Sequence, residues 1–320
     1  FFNRLRDFCA AARERGLFLQ LIPMDAWMLK HPHLWKLHAF HRDNNVNGVD
    51  GDPRNTGKGI DGQQGFCSLG NPKALEFQKA YLRKVVETLS DFDHVLIEIA
   101  NENYYSAEWE RHLCEFIREV ERTKPRQHVL MPLDLLSHSS VVQKWDPKII
   151  HAALLEKRSL RQPLIFDTDW IINPNDDEVR RAMWTAVLSA AHFNYMDDSL
   201  EFRAKPAPDK RAALHRQIAH LAAFMKLLKP WEMQPDNALV KSGAAFAMAS
   251  TSELAAFLPN GGALTLDLKK QAGPLTCRWF NPREGKFSDA FAVQGGRAAE
   301  LQAPDANDWA LHLWQAEREP

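Results

Sequence analysis

The sequence predicts an α/β protein: a (β/α)8 barrel that begins part-way through its strand series, followed by a small antiparallel β-sandwich. Three observations carry this. Apolar, β-branched runs alternate with amphipathic helical patterns from residue 1 to residue 234, the signature of a parallel sheet covered by helices. Acidic or aromatic residues stand at the same end of nearly every run, as on the rim of a closed barrel, whereas an open sheet gathers them at one switch point. No Gly-rich phosphate turn follows any strand, which argues against a nucleotide-binding fold. From residue 235 the pattern changes to short alternating runs divided by turn sequences. The expected domains are therefore 1–234, the barrel, and 235–320, the β-sandwich.

Composition excludes several classes. With 45% hydrophobic and 25% charged residues among 320, the chain has an ordinary globular balance and enough apolar material for a real core. A net charge of −1 gives no electrostatic reason to expect nucleic acid or an anionic membrane as partner. No apolar run approaches the roughly 18 residues of a membrane span. Cys9, Cys67, Cys114 and Cys277 are scattered without a CxxC pair, and Cys9 and Cys114 read as small buried hydrophobes on helices. The chain opens on Phe1, inside or just before a helix, with no Met and no signal sequence. The expectation is a fragment preceded by about two further βα units. Any export signal would lie upstream, so the compartment is open, with a secreted or periplasmic setting favoured.

Taken in order, Phe2 to Arg15 carries a helical stripe at Leu5, Phe8, Cys9 and Ala12, closed by Gly16. Leu17 to Ile22 reads as a buried strand ending in Pro23-Met24-Asp25-Ala26-Trp27. The segment from Met28 to Asn71 is too long for a plain connection and reads as a functional loop. Its histidines, His31, His33, His38 and His41, raise a metal site, but no HExxH or comparable frame accompanies them. A substrate-binding loop is preferred, and no metal or other cofactor is expected. Asn71-Pro72 caps the next helix. The strand Val95 to Glu102 follows, ending abruptly in Asn101 and Glu102.

The helix from Ala107 to Thr123 buries Trp109, Leu113, Phe116, Ile117 and Val120, and His128 to Asp134 is a further strand with an acidic tip. Residues 149–154 are compatible with a strand or a short helix. Pro163 to Trp170 is a clear strand ending in carboxylates, Asp176-Asp177-Glu178 charges the first turn of a helix, and His192 to Asp198 is the last strand of the series. Arg211 to Leu228 forms an amphipathic helix. Beyond it, Phe246–Pro259, Leu264–Leu268, Leu275–Phe280 and Trp309–Trp314 are the expected strands of the second domain.

Two carboxylates facing each other across one sugar are what glycosidic hydrolysis requires: an acid on the leaving oxygen, and a nucleophile or a base for water. Strand tips of a barrel provide that geometry. Glu102 lies on one strand, and Asp167 and Asp169 lie on another, pointing the same way along it. Trp27, Tyr104, Tyr105 and Trp170 supply aromatic faces near these tips that suit the apolar face of a sugar ring. Trp109 and Trp184, at helical spacing, belong to the core.

Ile97-Glu98-Ile99-Ala100-Asn101-Glu102 resembles the strand-four motif of the clan A retaining β-glycosidases, which are (β/α)8 barrels. The resemblance implies that Asn101 holds the sugar 2-hydroxyl and that Glu102 is the general acid/base. The loop Asn44 to Asp50, including Asn45, and the strand ending Asp167-Thr168-Asp169-Trp170 resemble cellulase-like members of that clan. The tail, with Trp279 to Gly285 and Asp308 to Leu311, resembles a C-terminal β domain named for collagen binding, often joined to such barrels, apiosidase-like ones included. One departure stands out. The clan's strand-seven nucleophile is normally Glu, and only Asp is present here. Asp169, nearer the tip, is preferred as partner, with Asp167 as support, and either a retaining or a wider, inverting arrangement remains open. The expected activity is a glycoside hydrolase acting on a carbohydrate, with Asp25, Trp27, Asn45, Tyr104 and Trp170 lining the cleft. The competing expectations are a carbohydrate-binding barrel without turnover and a metal-dependent hydrolase using His38 and His41.

Overall fold

The computed structural model describes residues 1–103, 105–131, 137–138, 145–158, 164–168, 175–194 and 212–315. The chain divides into two compact units, Phe1–Leu136 and Ser137–Pro320.

The first unit opens with α1 (Phe2–Glu14), which ends at Gly16 with φ of 67°. The strands β1 (Leu19–Leu21) and β2 (Met24–Asp25) follow. A 3-10 turn, Met28–Lys30, and the short α2 (Pro32–Trp35) then begin the long loop. The helix α3 (Pro72–Leu89) starts where Asn71 accepts a bond from the Ala74 N–H, and it buries Leu82, Val85, Val86 and Leu89. The apolar run that follows is split into β3 (Val95–Glu98) and β4 (Ala100–Asn101). Next come α4 (Ala107–Glu121), capped by Ser106, and β5 (Val129–Met131). The strands pair in parallel in the order β1-β3-β5, with β2 on β4 carrying the pairing to the tips.

Gln78 ties three parts of this unit together. Its Nε2 donates to Phe66 O at 2.8 Å, and its Oε1 accepts from Trp109 Nε1 at 2.9 Å. A buried amide satisfied at both ends is rigid because breaking either bond strands a desolvated polar group. The expectation of a buried strand over 17–22 is corrected: β1 is half-buried, and Phe18 is 75% exposed. Being outermost in its three-stranded sheet, β1 pairs with β3 alone among the described residues.

In the second unit, β6 (Ser137–His138), β7 (Ile165–Asp167) and β8 (His192–Asn194) form a parallel sheet in that order. Residues 149–154 are helical, within α5 (Pro147–Lys157), which Asp146 caps and Pro147 begins. The helix α6 (Asp176–Leu188) begins with a capping box between Asn175 and Glu178. The helix α7 (Ala212–Met225) follows.

The remaining strands are β9 (Gln234–Pro235), β10 (Val240–Ser242), β11 (Phe246–Ala249), β12 (Glu253–Leu258) and β13 (Ala263–Asp267). They continue as β14 (Pro274–Asn281), β15 (Lys286–Phe287), β16 (Phe291–Gln294), β17 (Ala298–Gln302) and β18 (Trp309–Gln315). Two antiparallel sheets result. One runs β10-β13-β17, and the other runs β15-β14-β18-β12-β11-β9 with β16 on β14.

Period-two alternation explains why β12 is buried almost throughout. Leu254, Ala256 and Leu258 enter one core with Leu264, Leu266 and Leu311, while Ala255 and Phe257 face the other way, toward Trp184, Phe224 and Phe280. The second cluster is where α6 and α7 cover the larger sheet. Parallel βα units followed by an antiparallel domain are thus the architecture of the chain.

Candidate active site

The tip of the opening apolar run is shaped by its backbone. Asp25 on β2 lies opposite Asn101 on β4 in the parallel register, and the Ala26 N–H donates to Asn101 O at 2.9 Å. Glu102 then turns out of the strand with φ of 48°, a left-handed conformation uncommon for a residue with a side chain. Such outliers persist where the surroundings over-determine them, and functional sites are where they cluster.

The Asp25 carboxylate joins a side chain and a backbone group. Its Oδ1 accepts from Asn101 Nδ2 at 3.3 Å and from the Trp27 N–H at 2.9 Å. The chain then makes its 3-10 turn, and Lys30 returns its ammonium to Glu102, with Nζ 3.1 Å from Oε2. The same Nζ lies 5.6 Å from the centre of the Trp27 ring, in reach of its negative face. The Lys30 and Glu102 side chains are 29% and 13% exposed, so the pair is partly withdrawn from water. His31 packs against Trp27 at 4.7 Å, and its Nε2 is buried with no hydrogen-bond partner among the described residues.

A cavity of about 330 Å³ opens on another side of Asp25, lined by His38, Phe40, Phe66, Phe77, Gln78 and Tyr81, among others. Burial pulls the His38 imidazole down to about 4, against a smaller opposing pull from Asp25. Its Nδ1 accepts the Phe40 N–H at 3.2 Å, and the His41 Nδ1 accepts the Asp43 N–H at 3.3 Å. Both nitrogens are engaged with the loop's own backbone. No group of three or more His, Cys, Asp or Glu side chains placed to hold a metal ion occurs among the described residues.

The structure thus brings Asp25, Trp27, Asn101 and Glu102 to one corner. Asn45 is employed differently: its Nδ2 donates to Ala39 O, His41 O and Val49 O, and its Oδ1 accepts the Val49 N–H. It pins the loop. Tyr104, Asp169 and Trp170 lie outside the described residues, and Asp167 is described only through the backbone of β7, in the second unit. Lys30 is the residue that reading the sequence missed. Its signal is spacing: it stands three positions after Trp27, close to one turn of a helix, but this spacing becomes informative only once the turn is known to form.

Residues 235–313 match the family described as putative collagen-binding domain of a collagenase. No curated protein matches the chain at a significant level. Among solved structures, one named "Glycoside hydrolase" superposes with a TM-score of 0.65 at 14% identity, over 100% of this chain and 90% of its own. A glycoside hydrolase family 5 structure from Bacteroides vulgatus ATCC 8482 gives 0.60 at 16% identity, over 76% of this chain and 67% of its own. At these identities the likeness is one of fold: the chain shares the architecture of barrel glycoside hydrolases, and its C-terminal part resembles the collagen-binding family.

Proposed function

We propose that the protein is a glycoside hydrolase that cleaves O-glycosidic bonds of a poly- or oligosaccharide by a two-carboxylate mechanism. The observation that carries this reading is the strand-tip corner, where Asn101 and Glu102 close β4 beside Asp25 and the Trp27 ring. In this reading Glu102 is the general acid/base. Asn101, steadied by Asp25, holds the sugar 2-hydroxyl, and Trp27 stacks on a sugar ring. Asp169 or Asp167 is the nucleophile or the base for water, with Tyr104 and Trp170 at the cleft. The barrel spans 1–234 and carries the chemistry, and 235–320 forms the accessory β domain. The structural likeness to glycoside hydrolases supports the reading through the fold.

The test is reducing-sugar release from cello-, xylo- and manno-oligosaccharides, with Glu102→Gln in parallel. These substrates have unactivated leaving groups and need a general acid, so Glu102→Gln is expected to lose about 100-fold or more in kcat. Equal activity in the two proteins rejects Glu102 as the acid. A second reading, a barrel that binds carbohydrate without turning it over, is favoured by the Asp in place of the clan's Glu. It predicts oligosaccharide binding by calorimetry with no product.

A further inference from the structure

We infer that Lys30 is a positioning residue for Glu102, holding its carboxylate by an ion pair and steered itself by the Trp27 ring. The inference rests on the reading of Glu102 as the reacting acid and adds a residue that neither the motif nor the family match assigns. Lys30 comes from the loop side of the corner and Glu102 from the strand side, 72 positions apart in sequence. The contact therefore joins the loop to the chemistry.

Stability does not account for the pair. A partly exposed Lys–Glu bridge contributes at most about 1 kcal/mol, so the fold hardly depends on it. What the bridge does is restrict a flexible side chain. A carboxylate on a left-handed turn has several rotamers open to it, and the ammonium at 3.1 Å selects the one that brings Oε2 to Nζ. A sugar oxygen entering between Nζ and Oε2 would take the ammonium's place and meet a carboxylate already aimed at it. The other titratable side chains of this corner are Asp25, held by Asn101 and the Trp27 N–H, and His31, stacked on Trp27.

The experiment compares wild type, Lys30→Met, Lys30→Arg and Glu102→Gln in the intact protein. The first readout is carboxyl carbon NMR of glutamate-labelled protein at constant pH, with the Glu102 signal identified by its loss in Glu102→Gln. Lys30→Met is expected to shift and broaden that signal, as the carboxylate loses its partner and samples more rotamers, and Lys30→Arg is expected to restore it. The second readout is turnover of the oligosaccharide cleaved fastest by wild type. Here Lys30→Met is expected to lower kcat by about 10-fold to 100-fold with a smaller change in KM, as for a misaimed catalytic group. Lys30→Arg should recover most of the rate.

A Glu102 signal unchanged in Lys30→Met overturns the inference. So does a wild-type kcat and KM in Lys30→Met alongside an inactive Glu102→Gln, an outcome that leaves the glycosidase reading intact. If Glu102→Gln is fully active the functional reading itself fails, and the inference fails with it. Should Lys30→Met not fold, Lys30→Gln replaces it in both readouts. Equal losses of rate in Met and Arg would mean that Lys30 acts only by packing on Trp27, which also overturns it.

Discussion

Asp25 and Asn101 sit directly opposite each other in the parallel pairing of β2 and β4, and one carboxylate oxygen, Asp25 Oδ1, accepts both the Asn101 amide and the Trp27 N–H. The amide is thereby oriented by the carboxylate. Removing the carboxylate frees Asn101 to rotate and relaxes the turn that aims Trp27.

In the proposed reaction, Asp25→Ala should lower kcat/KM by about 10-fold to 100-fold, the range of a misoriented substrate contact. Its circular dichroism should match wild type, since Asp25 is only half-buried. Oligosaccharide kinetics beside a thermal melt measure both, and unchanged kinetics would remove Asp25 from the site.

The second unit is locked by a buried ion pair. Arg180 of α6 makes a two-pronged contact with Asp308, with Nε–Oδ2 and Nη2–Oδ1 both at 2.8 Å, and their side chains are 2% and 0% exposed. Arg283 adds a bond to Asp308 O at 2.8 Å. The Asp308 carboxylate holds the Arg180 guanidinium further above its already high value, in spite of burial. Asp308→Ala removes the buried, two-pronged partner and leaves Arg180 its Nη1 contacts with Asp177 and Gln217; it should cost about 3 kcal/mol, the lower end for breaking a buried pair. The double variant Arg180→Met, Asp308→Ala should recover part of that loss. Urea unfolding monitored by intrinsic tryptophan fluorescence checks both values.

His38 makes the fold acid-sensitive. It stacks on Trp35 at 5.3 Å and meets the edge of Phe66 at 5.0 Å, and burial holds it near 4 where an unfolded chain has about 6.5. Below pH 6.5 the unfolded chain takes up a proton that the native state refuses. This contribution, about 2–3 kcal/mol, is present above pH 6.5 and is lost as pH falls toward 4. His38→Phe should show a smaller fall in melting temperature between pH 7 and pH 4.5 than wild type does. An identical fall in both would mean that other groups carry the acid sensitivity.

Asn71 serves as both helix cap and loop clamp. Its Oδ1 accepts the Ala74 N–H, and its Nδ2 donates to Asp50 O at 2.7 Å and Gln64 O at 3.0 Å. Asn71→Ala should destabilise by about 2–3 kcal/mol, roughly 1 for the cap and 1 for each lost loop bond. Asn175→Ala, at the more exposed capping box, should cost about 1 kcal/mol. Limited proteolysis should cut residues 48–70 faster in Asn71→Ala and leave that segment unchanged in Asn175→Ala.

Local pattern alone was enough for much of the fold. The stripe Leu82, Val85, Val86 and Leu89 and the cap at Asn71 lie within one helix, so 3.6-residue periodicity and one backbone bond determine them. The strand tip at Asn101 and Glu102 was legible for the same reason, because apolar character stops abruptly there. Residues 149–154 stayed open because a short apolar run has no period of its own, and the Asp146 cap with Pro147 decides for helix. Only the tertiary structure decided what the loops do. Asn45, expected as a substrate contact, bonds the loop backbone, since a side-chain amide goes to whichever unpaired backbone groups folding brings near. Lys30 carried no motif and became part of the site because a 3-10 turn and a distant strand meet there. The sequence by itself determined the βα series, the antiparallel tail and the carboxylate at the strand tip. The partners of that carboxylate were decided by three-dimensional proximity, which sequence spacing does not encode.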